Sequence, residues 1–230
     1  MLNELCLTAL VLGIVMMQAA PAKAAQRANA GEELGARSQK VALPAPAKVS
    51  RMSLEEALAK RRSVREFAAK PLAKEQLGQL LWAAQGVTHE DGMRTAPSAG
   101  ALYPLEIYVA TSAGFSHYLP SSHELERRSD RDLRPELYRA ALRQDQVLKA
   151  PAVFVITAVY ERTSRKYGDR GPRYVHLEAG HAAQNLLLEA VALGLGAVPV
   201  GAFDDVQIQK ALALPAEQQP IYLIPVGYPR

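Results

Sequence analysis

Arg94-Thr95-Ala96-Pro97-Ser98-Ala99-Gly100-Ala101-Leu102-Tyr103-Pro104-Leu105-Glu106 is the stretch around which this chain is organised. It lies between a helical period and a strand-like alternation, and its side chains are mostly too small to fill a core. Pro97 and Pro104 fix φ and bias the residues before them towards extended geometry. Between them, Ser98, Ala99 and Gly100 leave the main chain bare enough for something flat or charged to lie against its N–H groups. Composition alone favours an ordinary loop rich in turn residues. The flanking sequence argues for more.

Upstream, Ser53 with Glu56 forms a capping box for a helix from Leu54 to about Lys60. That helix runs into Arg61-Arg62-Ser63-Val64-Arg65-Glu66-Phe67. A second helix follows Pro71, with Leu77, Leu80, Leu81 and Ala84 on one face. Downstream, Leu105 to Thr111 alternates as a strand, and a hairpin through Phe115–Leu119 and the turn at Pro120-Ser121-Ser122 follows. Asp130 to Gln144 reads as a polar surface helix interrupted near Pro135, and Ala152 to Tyr160 as a central strand rich in β-branched residues. Arg162 to Arg173 reads as a loop before the longest helix, Tyr174 to Leu193. Gly180 within that helix costs about 1 kcal/mol against alanine, a cost that close approach of a helix or ligand offsets. Gly194 and Gly196 end it. Ala197 to Gly201 then makes a short strand and loop, Asp204 with Gln207 caps another helix, and Ile221 to Val226 is a terminal strand. Helices and strands mix without strict βαβ alternation, which predicts an α+β fold.

With 230 residues, 49% of them hydrophobic, the chain suits one domain with a substantial core. Its charge of +4 is scattered, without the aromatic-interleaved basic stripe of a nucleic-acid binder. An anionic small molecule fits that balance better than a polymer does. Residues 1–24 read as a signal peptide: the apolar run from Leu5 to Met17 is too short to span a membrane, and Ala22-Lys23-Ala24 offers a cleavage pattern. The expectation is export to the periplasm or medium, with no stable membrane span after cleavage. Cys6, the only cysteine, lies in that segment, so the mature chain carries no thiol chemistry. Residues 25–50 read as a flexible tether, and 51–230 as the folded domain.

Arg61, Ser63 and Arg65 stand two apart, so an extended backbone projects them from one side. Two guanidinium groups and a hydroxyl suit a phosphate; equally, cations there complement a helix C-terminus. Lys166 and Tyr167 can relay protons if shifted towards neutrality, or can be a solvated pair. His176, Glu178 and His181 hold one i, i+3 pair where a dinuclear helical site uses two, so structural roles are favoured and no metal is expected.

Taken in order, Arg-Arg-Ser-Val-Arg (61–65), Gln-Leu-Leu-Trp-Ala-Ala-Gln-Gly (79–86), the stretch at 94–106, Lys-Tyr-Gly (166–168), Glu-Ala-Gly-His-Ala-Ala-Gln-Asn (178–185) and Leu-Gly-Leu-Gly-Ala-Val-Pro-Val-Gly (193–201) resemble the FMN-dependent nitroreductase superfamily, and specifically its SagB/ThcOx-type dehydrogenase branch. The resemblance runs from about Ser53 to the C-terminus. It implies an antiparallel-dominated sheet flanked by helices, in a homodimer whose interface holds FMN; the dimer is expected to be built around the helix at 174–193, whose small residues Ala179 and Ala183 permit close approach of a second copy. On it, Arg61, Ser63 and Arg65 match the phosphate motif, and Pro97, Ser98, Ala99 and Gly100 match the segment lining the flavin ring. Pro199, Val200 and Gly201 match the loop facing flavin N5, and Arg230 stands where the superfamily has C-terminal phosphate ligands. Lys166 and Tyr167 match a catalytic pair. Ala101 and Tyr103 stand where many nitroreductases carry amides, which favours the dehydrogenase branch.

The expected function is hydride transfer between FMN and a small-molecule or peptide-borne heterocycle. The alternatives are NAD(P)H-dependent reduction of nitroaromatics or quinones and, in another class, a flavin- or ligand-binding module without turnover. Export argues against a nicotinamide donor and leaves the electron partner unknown.

Overall fold

All eight residues of Ala152–Val159 are buried, because their alternating side chains serve two cores at once. Ala152, Phe154, Ile156 and Ala158 enter one apolar cluster, while Val153 and Val155 enter another, as the period-two geometry of a strand requires. The structure is a computed structural model and describes residues 39–230. The expected signal segment, its cleavage pattern and Cys6 lie outside the described residues.

In chain order the strands are β1 (Lys40–Ala42), β2 (Leu105–Thr111), β3 (Gly114–Leu119), β4 (Glu124–Ser129), β5 (Ala152–Val159), β6 (Gly196–Ala197) and β7 (Gln218–Gly227). They form one seven-stranded sheet in the order β1-β4-β3-β2-β5-β7-β6, and every ladder is antiparallel. The helices are α1 (Leu54–Lys60), α2 (Lys74–Gln85), α3 (Arg134–Ala140), α4 (Asp145–Lys149), α5 (Tyr160–Tyr167), α6 (Gly171–Ala192) and α7 (Asp205–Ala211). Leu80 and Leu81 of α2 and Val175, Ala182 and Leu186 of α6 close one face of the sheet. Leu137 of α3, Val147 of α4 and Ile208 of α7 close the other. Burial of each large apolar side chain contributes about 1.5–3 kcal/mol. The expected α+β architecture, an antiparallel sheet flanked by helices, is the one observed. Among the described residues no helix is long and apolar enough to cross a membrane.

Four expectations need correction. Within the tether expected over 25–50, the part from Lys40 on is folded: Lys40–Ala42 pairs with β4, Leu43 is buried, and Gln79 exchanges two hydrogen bonds with the main chain of Ala47 (2.8 and 3.0 Å). An edge strand and a clipped loop are held by backbone groups, so they need no apolar period. Pro135 opens α3 within its first turn, where its missing N–H costs nothing, and does not interrupt it. Lys166 and Tyr167 end a helix, α5. The loop expected over 162–173 is a single 3-10 turn, Gly168–Arg170, before α6 begins at Gly171. Finally, Ala179 and Ala183, expected to face a second copy, are buried in the core of their own chain. Small residues at those positions let α6 approach α2 and the sheet.

Candidate active site

α1 starts at Ser53, whose hydroxyl accepts from the Glu56 N–H (3.1 Å), and stops where Arg61 leaves helical geometry at ψ 122°. Its C-terminal carbonyls are served by Arg62, whose guanidinium donates to Ala59 O (3.0 Å) and Arg61 O (2.7 Å). The helix-end role open to this basic run is therefore taken by Arg62. Among the described residues, the side chains of Arg61, Ser63 and Arg65 have no hydrogen-bond or ion-pair partner. The segment is then pinned to the sheet: Ser63 bridges Ala197, and the Val64 N–H donates to Ala197 O (3.0 Å). A Cβ on Gly196 would sit 2.6 Å from Val64, so only glycine allows this approach.

Arg230 joins the same segment. Its N–H donates to Glu66 O (3.2 Å), one residue from Arg65, and Pro229 bridges Phe67. These main-chain ties bring the segment of Arg61, Ser63 and Arg65 alongside Arg230 and the end of β6. In the loop that follows β6, Val200 is buried and exchanges both main-chain hydrogen bonds with Leu223. Pro199 and Gly201 are the parts that reach the surface. Guanidinium forks suit a phosphate dianion, and unpaired ones are ready to take it.

The second group is built on the stretch between α2 and β2. Ala99–Ala101 form a 3-10 turn in which Gly100 has φ +65°. Ala101 (φ +55°) and Tyr103 (φ +46°) share the left-handed region, at a cost of about 1–3 kcal/mol for each non-glycine residue. A Cβ on Gly100 would lie 2.9 Å from both Lys166 Nζ and the Tyr167 hydroxyl. The two candidate catalytic side chains therefore converge over the bare backbone of Gly100. Arg162, one turn earlier on α5, fixes that helix: it donates to Tyr103 O (3.1 Å) and pairs with Glu106 (2.5 Å). Burial works to raise the pKa of Glu106, but the His117 hydrogen bond (2.7 Å) and Arg162 outweigh it and hold the carboxyl below its usual value. Arg165 pairs with Glu161 on its own helix (3.2 Å).

Glu178 was not singled out for this site by sequence reasoning, yet it lies under the stretch, 2% exposed. It receives Gln85 Nε2 (3.3 Å). Burial pushes its pKa up to about 7, against the opposing influence of the nearby Ser98, Gln85 and Arg94. The available signal was its place on the α6 stripe with Val175, Ala179 and Ala182, where 3.6 periodicity predicts an apolar residue. His176 instead bonds Tyr160 (2.6 Å) and His181 is exposed, so the three residues weighed as metal ligands do not converge.

Among the described residues no hydrogen bond, ion pair or strand bridge links the basic group to the Pro97–Gly100 group.

Residues 58–228 match the Nitroreductase family. A nitroreductase-named protein of Methanocaldococcus jannaschii is 49% identical over 185 residues, covering 78% of this chain and 92% of that one. The crystal structure of a nitroreductase-named protein of Ralstonia eutropha JMP134 superposes with a TM-score of 0.75 at 31% identity, over 83% of this chain and 90% of that one. The microcin B17-processing protein McbC of Escherichia coli is 31% identical over 133 residues, or 53% of this chain and 48% of that protein. The chain belongs to the nitroreductase family. It is an oxidoreductase, and the relatives that match over most of its length carry the nitroreductase name, whereas the SagB-like resemblance is partial.

Proposed function

We propose that the chain is an FMN-dependent reductase that takes reducing equivalents from a reduced nicotinamide and passes them to a small organic acceptor, such as a nitroaromatic or a quinone. The supporting observation is the pair of half-sites: unpaired Arg61, Ser63 and Arg65 beside Arg230, and a bare Gly100 surface under Lys166 and Tyr167. FMN, when bound, supplies the hydride chemistry. Arg61, Ser63, Arg65 and Arg230 hold its phosphate, Pro97 to Gly100 lie flat against its ring, and Pro199 and Gly201 border it. Lys166 and Tyr167 present an ammonium and a phenol from which an acceptor draws its proton. In a homodimer the basic half-site of one copy meets the Gly100 half-site of the other. The exposed Leu54, Leu58 and Leu177, on two helices that pack together, are the apolar surface available for that contact.

A second reading, oxidation of a small or peptide-borne heterocycle, is favoured by Lys166 and Tyr167. One ring atom would give up a hydride, which bound flavin would accept, and the neighbouring ring atom a proton, which this pair would take. Purified protein separates the readings. Flavin bands that bleach with NADH or NADPH and return with a nitroaromatic support the reductase; bleaching by a heterocyclic peptide alone supports the dehydrogenase. Bands that no donor bleaches leave a binding module. Charge-assisted hydrogen bonds contribute about 1.5–3 kcal/mol each, so Arg65→Ala should weaken FMN about ten- to a hundredfold and leave riboflavin unchanged. Equal weakening of both would remove Arg65 from the phosphate site.

A further inference from the structure

Tyr103 is hydrogen-bonded at every polar group it has. Its N–H donates to Ser98 Oγ (2.9 Å), its hydroxyl accepts from the Arg94 N–H (3.1 Å), and its carbonyl accepts from the Arg162 guanidinium (3.1 Å). The last of these bonds crosses from the Pro97–Gly100 stretch to α5. The same guanidinium makes a second tie, to Glu106 Oε1 (2.5 Å). The other oxygen of that carboxylate, Oε2, accepts from His117 Nε2 on β3 (2.7 Å). The His117 ring in turn lies against Tyr108, with ring centroids 4.5 Å apart. The Glu106 and His117 side chains are each 15% exposed, so salt screens their contacts little. A chain of contacts therefore runs from the sheet through His117, Glu106 and Arg162 to the helix that carries Lys166 and Tyr167.

We propose that Glu106 and Arg162 are positioning residues: their chain sets how far Lys166 and Tyr167 stand from the Gly100 surface, and so the gap in which an acceptor meets them. Packing does not set it, since α5 buries only Thr163. Hydrogen bonds from the pair itself do not set it either, because among the described residues neither Lys166 nor Tyr167 has a hydrogen-bond or ion-pair partner. They rest on each other, with Lys166 Nζ 5.5 Å from the centre of the Tyr167 ring, and on Tyr174, whose ring meets that of Tyr167 edge to face at 5.0 Å. Arg162 and Lys166 are one turn apart and share a helix face. Held at Tyr103 and Glu106, that turn delivers Lys166 Cδ to 3.4 Å, and Lys166 Nζ and the Tyr167 hydroxyl to 2.9 Å, from a Cβ built on Gly100. A guanidinium suits the task because its planar fork serves two acceptors at a fixed angle.

The inference rests on the reading that Lys166 and Tyr167 face an acceptor over a flavin laid on Gly100, and two measurements keep the two apart. The first is single-turnover reoxidation of the reduced, FMN-loaded protein by a nitroaromatic. Arg162→Gln should be about 10²-fold slower, the cost of misplacing a reacting group by about 1 Å. Glu106→Gln, which keeps the bond to Tyr103 O and exchanges a charged contact for a neutral one, should be about fivefold slower. FMN affinity should be unchanged in both. In a protein already carrying Lys166→Ala and Tyr167→Phe, adding Arg162→Gln should slow the reaction no further, as befits a residue acting only through that pair. Effects that multiply would make Arg162 an ordinary structural residue and overturn the proposal. The second measurement needs no flavin. Wild-type protein should show NOE cross-peaks between the Gly100 α protons and the Lys166 δ protons. Arg162→Gln should lose them and Glu106→Gln should weaken them, while cross-peaks between Tyr160 and His176, bonded at the other end of α5 (2.6 Å), persist. Gly100–Lys166 cross-peaks that stay at full strength in both variants overturn the proposal. So does loss of the Tyr160–His176 cross-peaks in both, since the chain would then hold all of α5 and not its end. If Lys166→Ala and Tyr167→Phe turn over like wild type, the acceptor chemistry falls, and the cross-peaks still decide the positioning.

Discussion

Glu178 shows how one carboxyl couples the site to stability. Its folded pKa is raised from 4.5 to about 7, so between those values the folded state binds a proton that the unfolded state has released. Stability therefore falls as pH rises from about 4.5 to about 7, and the group contributes no further slope above that. At about 1.36 kcal/mol per pKa unit, the loss is about 3 kcal/mol. Glu189 is raised too, by burial, so the difference between wild type and Glu178→Gln isolates the one residue. Denaturant unfolding from pH 4.5 to 7.5 should show the wild type losing about 3 kcal/mol relative to Glu178→Gln; parallel curves would mean an ordinary carboxyl. The sequence offered Glu178 only as a metal ligand beside His181, because a lone acid on an apolar stripe does not reveal which residues will cover it. Gly100 was legible, since bare backbone between prolines is a local property. The left-handed Ala101 and Tyr103 were not, because the bonds that hold Tyr103 come from Arg94, from Ser98 and from Arg162, 59 positions away.

At the scale of elements, the strands at 105–111 and 152–159 could be read from alternation and β-branching, and α2 and α6 from their apolar stripes. α5 could not. Its residues Tyr160-Glu-Arg-Thr-Ser-Arg-Lys-Tyr167 bury only Thr163, so no apolar period marks a helix, and long-range ties from Arg162 to Tyr103 and Glu106 position it. The consequence is chemical: a helix end is a firmer mount for Lys166 and Tyr167 than a loop tip. Lys166→Ala and Tyr167→Phe should keep the fold and the flavin, but slow the half-reaction with the organic partner by about 10²–10⁴, the usual weight of a proton-transfer group. Single-turnover spectra of the bound flavin measure this, and rates equal to wild type in both variants would take the pair out of the chemistry.

Across the whole molecule, the order of motifs along the chain made the family legible, but the small residues of α6 misled as to which of its faces turns outward. Composition pointed to Ala179 and Ala183. The fold buries both, and turns Leu177 and Gly180 to solvent. Leu177 is 51% exposed, so Leu177→Glu should leave the monomer folded but convert a dimer to monomers that release FMN. Sedimentation with absorbance at flavin wavelengths checks this. A wild type that sediments as a monomer while holding FMN would instead place the whole site within one chain.

The short strand Lys40–Ala42 has a bearing on where this protein can be cut. In the strand order it is the outer neighbour of β4, and a sheet edge with unpaired N–H and C=O groups is a template for sticking to another chain. A boundary at residue 51, where composition alone would set it, removes that cover and leaves Gln79 without Ala47. Trimming there would uncap the sheet, so the smallest sound fragment keeps its residues from Lys40 onward.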